Sequence, residues 1–228
     1  KEVLDALGIV RCELAGYEAD DLLGTISRRA NENGDECVIL TGDRDSLQLV
    51  GGGTVVRLVK SALGKTTYTS YTPEKFREEY GFDPIRLIDF KALMGDSSDN
   101  IPGVKGVGEK GARQLLADFG TLDGIYEHID DERIKKGVRT KLQADEQGAR
   151  DSYWLATIDR NVPLELDVAH LPEQKIDREA LAAGEIRGQK IDRRVQYFLG
   201  LGDLEAGETF KITHNYGVPW PGPKFWCP

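Results

Sequence analysis

The sequence has no apolar run approaching the roughly 20 residues that a membrane-spanning helix requires, which excludes a helical membrane anchor among its segments. Cysteine is scarce. Cys12, Cys37 and Cys227 lie far apart and match no metal-binding or redox spacing. A disulfide framework is excluded, and a reducing cytoplasm is the simplest setting. There is no charged-then-apolar leader, because the chain opens directly on the polar helical pattern KEVLDALGI. Positive charge is also short: 30 Lys and Arg stand against 39 Asp and Glu, a formal net charge of −9. Taken alone, that balance argues against a nucleic-acid partner, since such affinity comes from cations neutralising phosphates. Acids gathered around metal ions would have their charge cancelled where they sit, so their distribution matters more than their sum.

The 228 residues suffice for one large domain or two small ones. A composition of 39% hydrophobic and 30% charged residues is ordinary for a globular protein. Residues 1–8 read as helical. Ala19, Leu22, Leu23, Ile26 and Ala30 recur at helical spacing from Glu18 to Asn33, where Asn33-Gly34 ends the pattern. Cys37 to Leu40 predicts a buried strand, and Asp45 to Val50 a short helix. Val55–Val59 and Thr66–Tyr71 flank Gly64 and read as a hairpin. Strand and helix alternate here as in an α/β layer. After Tyr71 the chain turns helical. The expected helices are Pro73–Tyr80, Pro84–Met94, Glu109–Phe119, Leu122–Ile129 and Lys141–Ile158, with a strand signal only at Val162–Val168. The last 40 or so residues, with Gly200, Gly202 and PWPGPKFWCP, read as irregular.

Three acidic clusters stand out. Glu18, Asp20 and Asp21 fall in the first turn of a helix, where acids also serve simply to cap free N–H groups and oppose the helix dipole. Asp43 and Asp45 follow an apolar strand in TGDRDS. A turn with an N-cap would explain them, but α/β sheets also place ligands at the carboxyl ends of their strands. Asp96 and Asp99 lie in the loop MGDSSDN. If the three loops converge, seven carboxylates share a small volume and cannot all stay ionised without cations. An all-oxygen donor set without His or Cys favours Mg²⁺ or Mn²⁺ over Zn²⁺. Two such ions suit phosphodiester hydrolysis.

Gly106-Val-Gly108-Glu-Lys-Gly111 satisfies GxGxxG, but no strand–turn–helix unit surrounds it, so a dinucleotide-binding oxidoreductase is a poor fit. A helix–hairpin–helix fits better: one helix ends near Met94, Ile101 to Gly108 turn, and Glu109 opens the next. Glycines at 103, 106 and 108 let backbone approach a phosphate, and the helix start offers free N–H groups. Lys105, Lys110 and Arg113 add positive charge. Contacts of this kind position a backbone and read no sequence. A glycine-rich helix connection without a ligand is the plain alternative.

GYEADDLLG, ILTGDRDSLQLV, LIDFKALMGDSSDNIPGVKGVGEKGARQLLADFG and SYWLATI resemble, in order and spacing, the 5′-nuclease domain of bacterial DNA polymerase I across about residues 1–170. The resemblance implies an α/β, PIN-like (Rossmann-like) nuclease core followed by an all-helical region with a helix–hairpin–helix (H3TH) DNA-binding motif. It implies that Glu18, Asp20, Asp21, Asp43, Asp45, Asp96 and Asp99 bind two divalent metals, and that Gly103 to Gly111 grips duplex DNA, commonly with a bound K⁺. The implied reaction is hydrolysis at 5′ flaps, nicks, gaps and duplex ends, including RNA-primer removal, in the bacterial cytoplasm. A monomer fused to a polymerase in the parent protein is the expected form. The domains expected are a core at 1–83, a helical region at 84–187 and a segment at 188–228 with no assigned role.

Members of that family open with a strand bearing another Asp and a basic helical arch, and neither precedes Lys1. The chain is therefore expected to be a truncated piece. Two outcomes stay open: an active nuclease, or a fragment that binds DNA without cutting it.

Overall fold

The computed structural model describes residues 2–62, 65–172, 175, 177, 185–186 and 189–190. Helix α1 (Glu2–Ala6) is followed by α2 (Ala19–Glu32), which begins at an extended Glu18. The Glu18 N–H donates to Asp21 Oδ2 at 3.1 Å, one half of a capping box. Strand β1 (Cys37–Thr41) runs parallel to β2 (Thr54–Ala62), with Ile39 opposite Val56, and β3 (Lys65–Tyr71) is β2's other neighbour. A 3₁₀ turn, Asp45–Leu49, leaves the carboxyl end of β1 and buries Leu47 and Leu49.

Helix α3 (Pro73–Tyr80) has the boundaries its sequence signals demand. The Thr72 hydroxyl accepts from the Lys75 N–H at 3.3 Å, Pro73 sits where no N–H is needed, and Gly81 leaves at φ 81°. A 3₁₀ turn at Pro84–Arg86 leads into α4 (Leu87–Met94), which is buried on nearly every side. Packed on α4 are α5 (Glu109–Phe119), α6 (Leu122–Glu127) and α8 (Glu146–Ala156), and α7 (Lys136–Ala144) packs on α8. Within α4 the buried Asp89 carboxylate accepts the Leu122 N–H at 2.8 Å and an Arg86 N–H at 3.2 Å, fixing the start of α6. One hydrophobic cluster runs from Ile39, Val56 and Leu58 through Phe76 and Leu93 to Leu115, Ile125, Leu142 and Ala149. Residues 14–60 and 67–166 accordingly form one compact unit.

Four expectations need correction. The run Val38-Ile39-Leu40 is not wholly buried. Ile39 enters the core, while Val38 and Leu40 are 50% and 63% exposed, because only one face of β1 is covered among the described residues. Lys141 to Ile158 is not one helix: the chain leaves helical geometry at Asp145 (φ −140°, ψ 40°), which separates α7 from α8. The helix at 122–129 already ends at Glu127. Val162–Val168 forms no strand. Arg29 donates to the carbonyls of Val162, Leu164 and Leu166 at 3.5, 2.7 and 3.1 Å, and the Thr25 hydroxyl accepts the Val162 N–H at 3.1 Å. Side chains of α2 thus satisfy polar groups that a neighbouring strand would otherwise pair.

The described residues within 1–13, 61–66 and 167–190 belong to a second unit. In it Ala6 O accepts the Asp177 N–H at 2.7 Å, Arg11 bridges Asp5 and Glu13, and β4 (Glu185–Ile186) pairs antiparallel with β5 (Gln189–Lys190). The expected irregular tail, with Gly200, Gly202 and Cys227, lies outside the described residues. No helix among the described residues is long and apolar enough to cross a membrane.

Candidate metal centre and nucleic-acid interface

Each acidic cluster reaches the centre through local structure. At the end of β1, the Thr41 hydroxyl accepts the Asp43 N–H at 3.0 Å, and Asp43 Oδ1 accepts the Asp45 N–H at 2.9 Å, so a tight turn presents both carboxylates. Buried Gln48 clamps this turn from behind, donating to Ala156 O at 2.9 Å and accepting the Ile158 N–H at 3.1 Å. Buried Ser46 donates to Asp20 Oδ1 at 3.3 Å, which ties the start of α2 to the same turn. Asp96 and Ile101 exchange backbone hydrogen bonds of 2.8 and 2.9 Å across MGDSSDN. Asp96 Oδ1 also takes the Ser98 N–H at 2.9 Å.

Asp45, Asp96 and Asp99 each offer an oxygen, and these oxygens lie within 4.8 Å of one another. Asp20 is electrostatically joined to them. Burial first, then Asp43, Asp45 and Glu18, push its carboxyl up to about 6 against the opposing Ser46 hydrogen bond. Burial also raises Asp45, with Asp43 and Asp99 adding to the effect and Lys91 opposing it. Asp96 goes the other way: burial is outweighed by Lys91 and Ser98, which hold it at about 2. Asp20, Asp43, Asp45, Asp96 and Asp99 thus form one electrostatic group drawn from three chain segments. Glu18 and Asp21 sit at its margin. Both belong to the capping box, and Asp21 Oδ1 accepts the Asp159 N–H at 2.9 Å.

Sequence reasoning missed Lys91. Its ammonium is bonded to Asp45, lies 2.7 Å from Asp96 and 3.5 Å from Asp99, and its side chain is only 6% exposed. Burial works against that charge, but Asp45 and Asp96 outweigh it and raise the lysine's pKa. The missed signal is in DFKALM: a helix apolar nearly all round can bury a lysine only beside an acid. The donor set fits a hard cation, being all carboxylate oxygen and already holding an ammonium at its centre.

The connection from Met94 to Glu109 is a helix–hairpin–helix. Gly95, Gly103 and Gly106 have φ of 79°, 60° and 82°. The Gly103 N–H donates to the buried Ser152 hydroxyl at 3.0 Å, and the Val104 N–H to Leu93 O at 2.9 Å. Ile101, Val104 and Val107 point inward, which leaves Lys105, Gly106, Gly108 and Lys110 exposed in front of the α5 N-terminus. Lys105 and Lys110 have no ion-pair partner among the described residues. Arg113 is differently placed. It bonds Glu109 at 2.9 Å and the Tyr80 carbonyl, and its guanidinium stacks over Tyr80, Phe82 and Phe90 at 5.2–5.8 Å. Its hydrogen bonds tie α5 to the end of α3.

Acids delivered from the end of β1, the start of α2 and the loop after α4, beside a helix–hairpin–helix, define a nuclease class. The chain belongs to the 5′→3′ exonuclease family. Residues 1–81 match its N-terminal resolvase-like domain, and residues 82–179 its C-terminal SAM fold. Among curated relatives, DNA polymerase I of Caldicellulosiruptor bescii is 42% identical over 181 residues, 79% of this chain and 21% of the polymerase. DNA polymerase I of Chloroflexus aurantiacus is 45% identical over 184 residues, 80% of this chain and 19% of the polymerase. The chain therefore spans about a fifth of the length of the curated relatives it matches. The T5 5′-exonuclease with bound zinc has the same fold at a TM-score of 0.57, with 24% identity over 66% of this chain and 54% of that one. The architecture is thus an α/β nuclease core followed by a helical region.

Proposed function

We propose that this chain is a metal-dependent, structure-specific 5′→3′ exonuclease and flap endonuclease. The observation that carries the reading is that Asp45, Asp96 and Asp99, from two separate segments, bring oxygens within 4.8 Å of one another, with Asp20 and Asp43 near enough to Asp45 to act on the same carboxylates. Asp45, Asp96 and Asp99 are the residues best placed to hold Mg²⁺ or Mn²⁺, with Asp20 and Asp43 completing a second position and Glu18 and Asp21 supporting them. Bound there, the ions would supply charge neutralisation at a phosphodiester and a more acidic attacking water. The protein's own groups do the rest. The turn at Thr41–Asp45 and the Asp96–Ile101 bridge hold the carboxylates in register. The α5 N-terminus and the exposed backbone at Lys105, Gly106 and Gly108 present N–H groups to a duplex phosphate, with Lys105 and Lys110 supplying charge and a K⁺ ion as a further bridge.

In functional terms the core at 1–83 is PIN-like and carries Glu18, Asp20, Asp21, Asp43 and Asp45, while 84–187 adds Asp96 and Asp99 to the centre and grips the duplex. No role is proposed for 188–228. The substrates proposed are 5′ flaps, nicks, duplex ends and RNA primers, met in the bacterial cytoplasm by a monomer carried within a polymerase. The test is a 5′-labelled flap incubated with Mg²⁺ or with EDTA. Product should form only with Mg²⁺, and Asp43→Ala or Asp96→Ala should abolish it while changing duplex affinity less than about threefold, since neither carboxylate belongs to the exposed face of Lys105, Gly106, Gly108 and Lys110. Normal cutting by either variant would show the site to be misassigned. Duplex binding without any Mg²⁺-dependent product would favour a fragment that only binds.

A further inference from the structure

The position of Lys91 has a consequence for how the centre acquires its ion. The backbone of α4 is fixed, since Phe90, Ala92 and Leu93 on either side of the lysine are buried in the core. Only the four-carbon stem of Lys91 is free to move. Its ammonium stands among oxygens of Asp45, Asp96 and Asp99 that are themselves within 4.8 Å of one another. A magnesium ion bonded to those oxygens needs about 2.0–2.1 Å to each, so it claims the space the ammonium fills. The two cations would also repel strongly at that range. Ammonium and metal are therefore alternatives. The way out lies beside Asp99, the most exposed of the three carboxylates at 49%.

We propose that Lys91 is a built-in counter-cation of this centre: it holds Asp45, Asp96 and Asp99 together in the metal-free protein and yields its place to an incoming divalent ion. It is a positioning residue, and it lowers the ion's apparent affinity by the work of displacing it. This inference rests on the metal-centre reading given above.

The test is Mn²⁺ binding to the whole chain without DNA, followed by electron paramagnetic resonance or calorimetry, in the native protein and in Lys91→Met. Methionine keeps the unbranched stem and removes the charge. The variant should bind Mn²⁺ about fivefold tighter or more, the lower end of usual coupling between competing ligands. Without metal it should melt at a lower temperature, and Mn²⁺ should raise its melting point more than that of the native chain. A lysine that merely supports the fold predicts the opposite sign, weaker binding on removal. Equal or weaker binding by the variant, with the native chain binding normally, overturns the proposal alone. Absence of Mn²⁺ binding by the native chain overturns the metal-centre reading with it. A second measurement needs no variant. In the native chain labelled at lysine ¹³Cε, the Lys91 resonance should shift on Mg²⁺ addition while that of Lys110 stays. An unmoved Lys91 signal under saturating Mg²⁺ would refute the displacement.

Discussion

Asp20 is a carboxyl group at odds with its surroundings. Its carboxyl is raised from 3.8 to about 6, by burial and by Asp43, Asp45 and Glu18. A raised acid is held more tightly as the neutral form in the native state. Between about pH 4 and pH 6 the native chain therefore binds more protons than the unfolded one, and stability falls as pH rises through that window. The cost is fully present above pH 6 and absent below pH 4. Asp20→Asn keeps an acceptor for Ser46 and removes the charge. In EDTA, the variant should melt above the native protein at pH 7, and the gap should close by pH 4. An equal difference at both pH values would show that the carboxylate is not under repulsion. Asp96, held at about 2, behaves oppositely: its contribution is present above 3.8 and fades as pH falls toward 2. The two effects occupy separate pH windows, so one titration of melting temperature resolves both.

At the level of elements, the hairpin is where backbone conformation matters most. Gly103 is left-handed at φ 60°, and a Cβ there would overlap the backbone of Gly95. Gly103→Ala should cost roughly 3 kcal/mol, combining ~1–2 kcal/mol for the left-handed backbone with overpacking. The midpoint of urea unfolding measures it, and a loss under about 0.5 kcal/mol would mean that the hairpin relaxes freely. Such elements were legible in the sequence to different degrees. α3 and α5 were found to the residue, because Thr72, Pro73 and Gly81, or Gly108 and Gly120, punctuate them. The break at Asp145 and the failed strand at 162–168 were not: the strand fails because distant Arg29 and Thr25 satisfy its backbone, and the break lies in the backbone angles of Asp145 itself. The acids could be chosen from residue type and loop position. The hydrogen bond from the Asp159 N–H to Asp21, the aromatic seat of Arg113 and the lysine among the carboxylates follow only from packing.

At the scale of the whole molecule, a chain of net charge −9 is proposed to hold a polyanion. Two electrostatic pictures predict opposite responses to salt. If net charge governed the encounter, added salt would screen repulsion and strengthen binding. If local cations govern it, salt would weaken binding, because each neutralised phosphate releases condensed counterions. The structure favours the second picture. Asp20, Asp43, Asp45, Asp96 and Asp99 are gathered at the metal centre, while Lys105 and Lys110 stand exposed beside the α5 N-terminus without ion-pair partners among the described residues. Affinity for a blunt duplex in EDTA should therefore fall as salt rises. Replacing both Lys105 and Lys110 by Gln should reduce the slope of log K against log[salt] by about 2, roughly 0.9 for each phosphate that is no longer neutralised. The weakening should be the same for unrelated sequences, as contacts to backbone carry no sequence information. Affinity that rises with salt, or a slope indifferent to the double substitution, would place the duplex on some other surface of the chain.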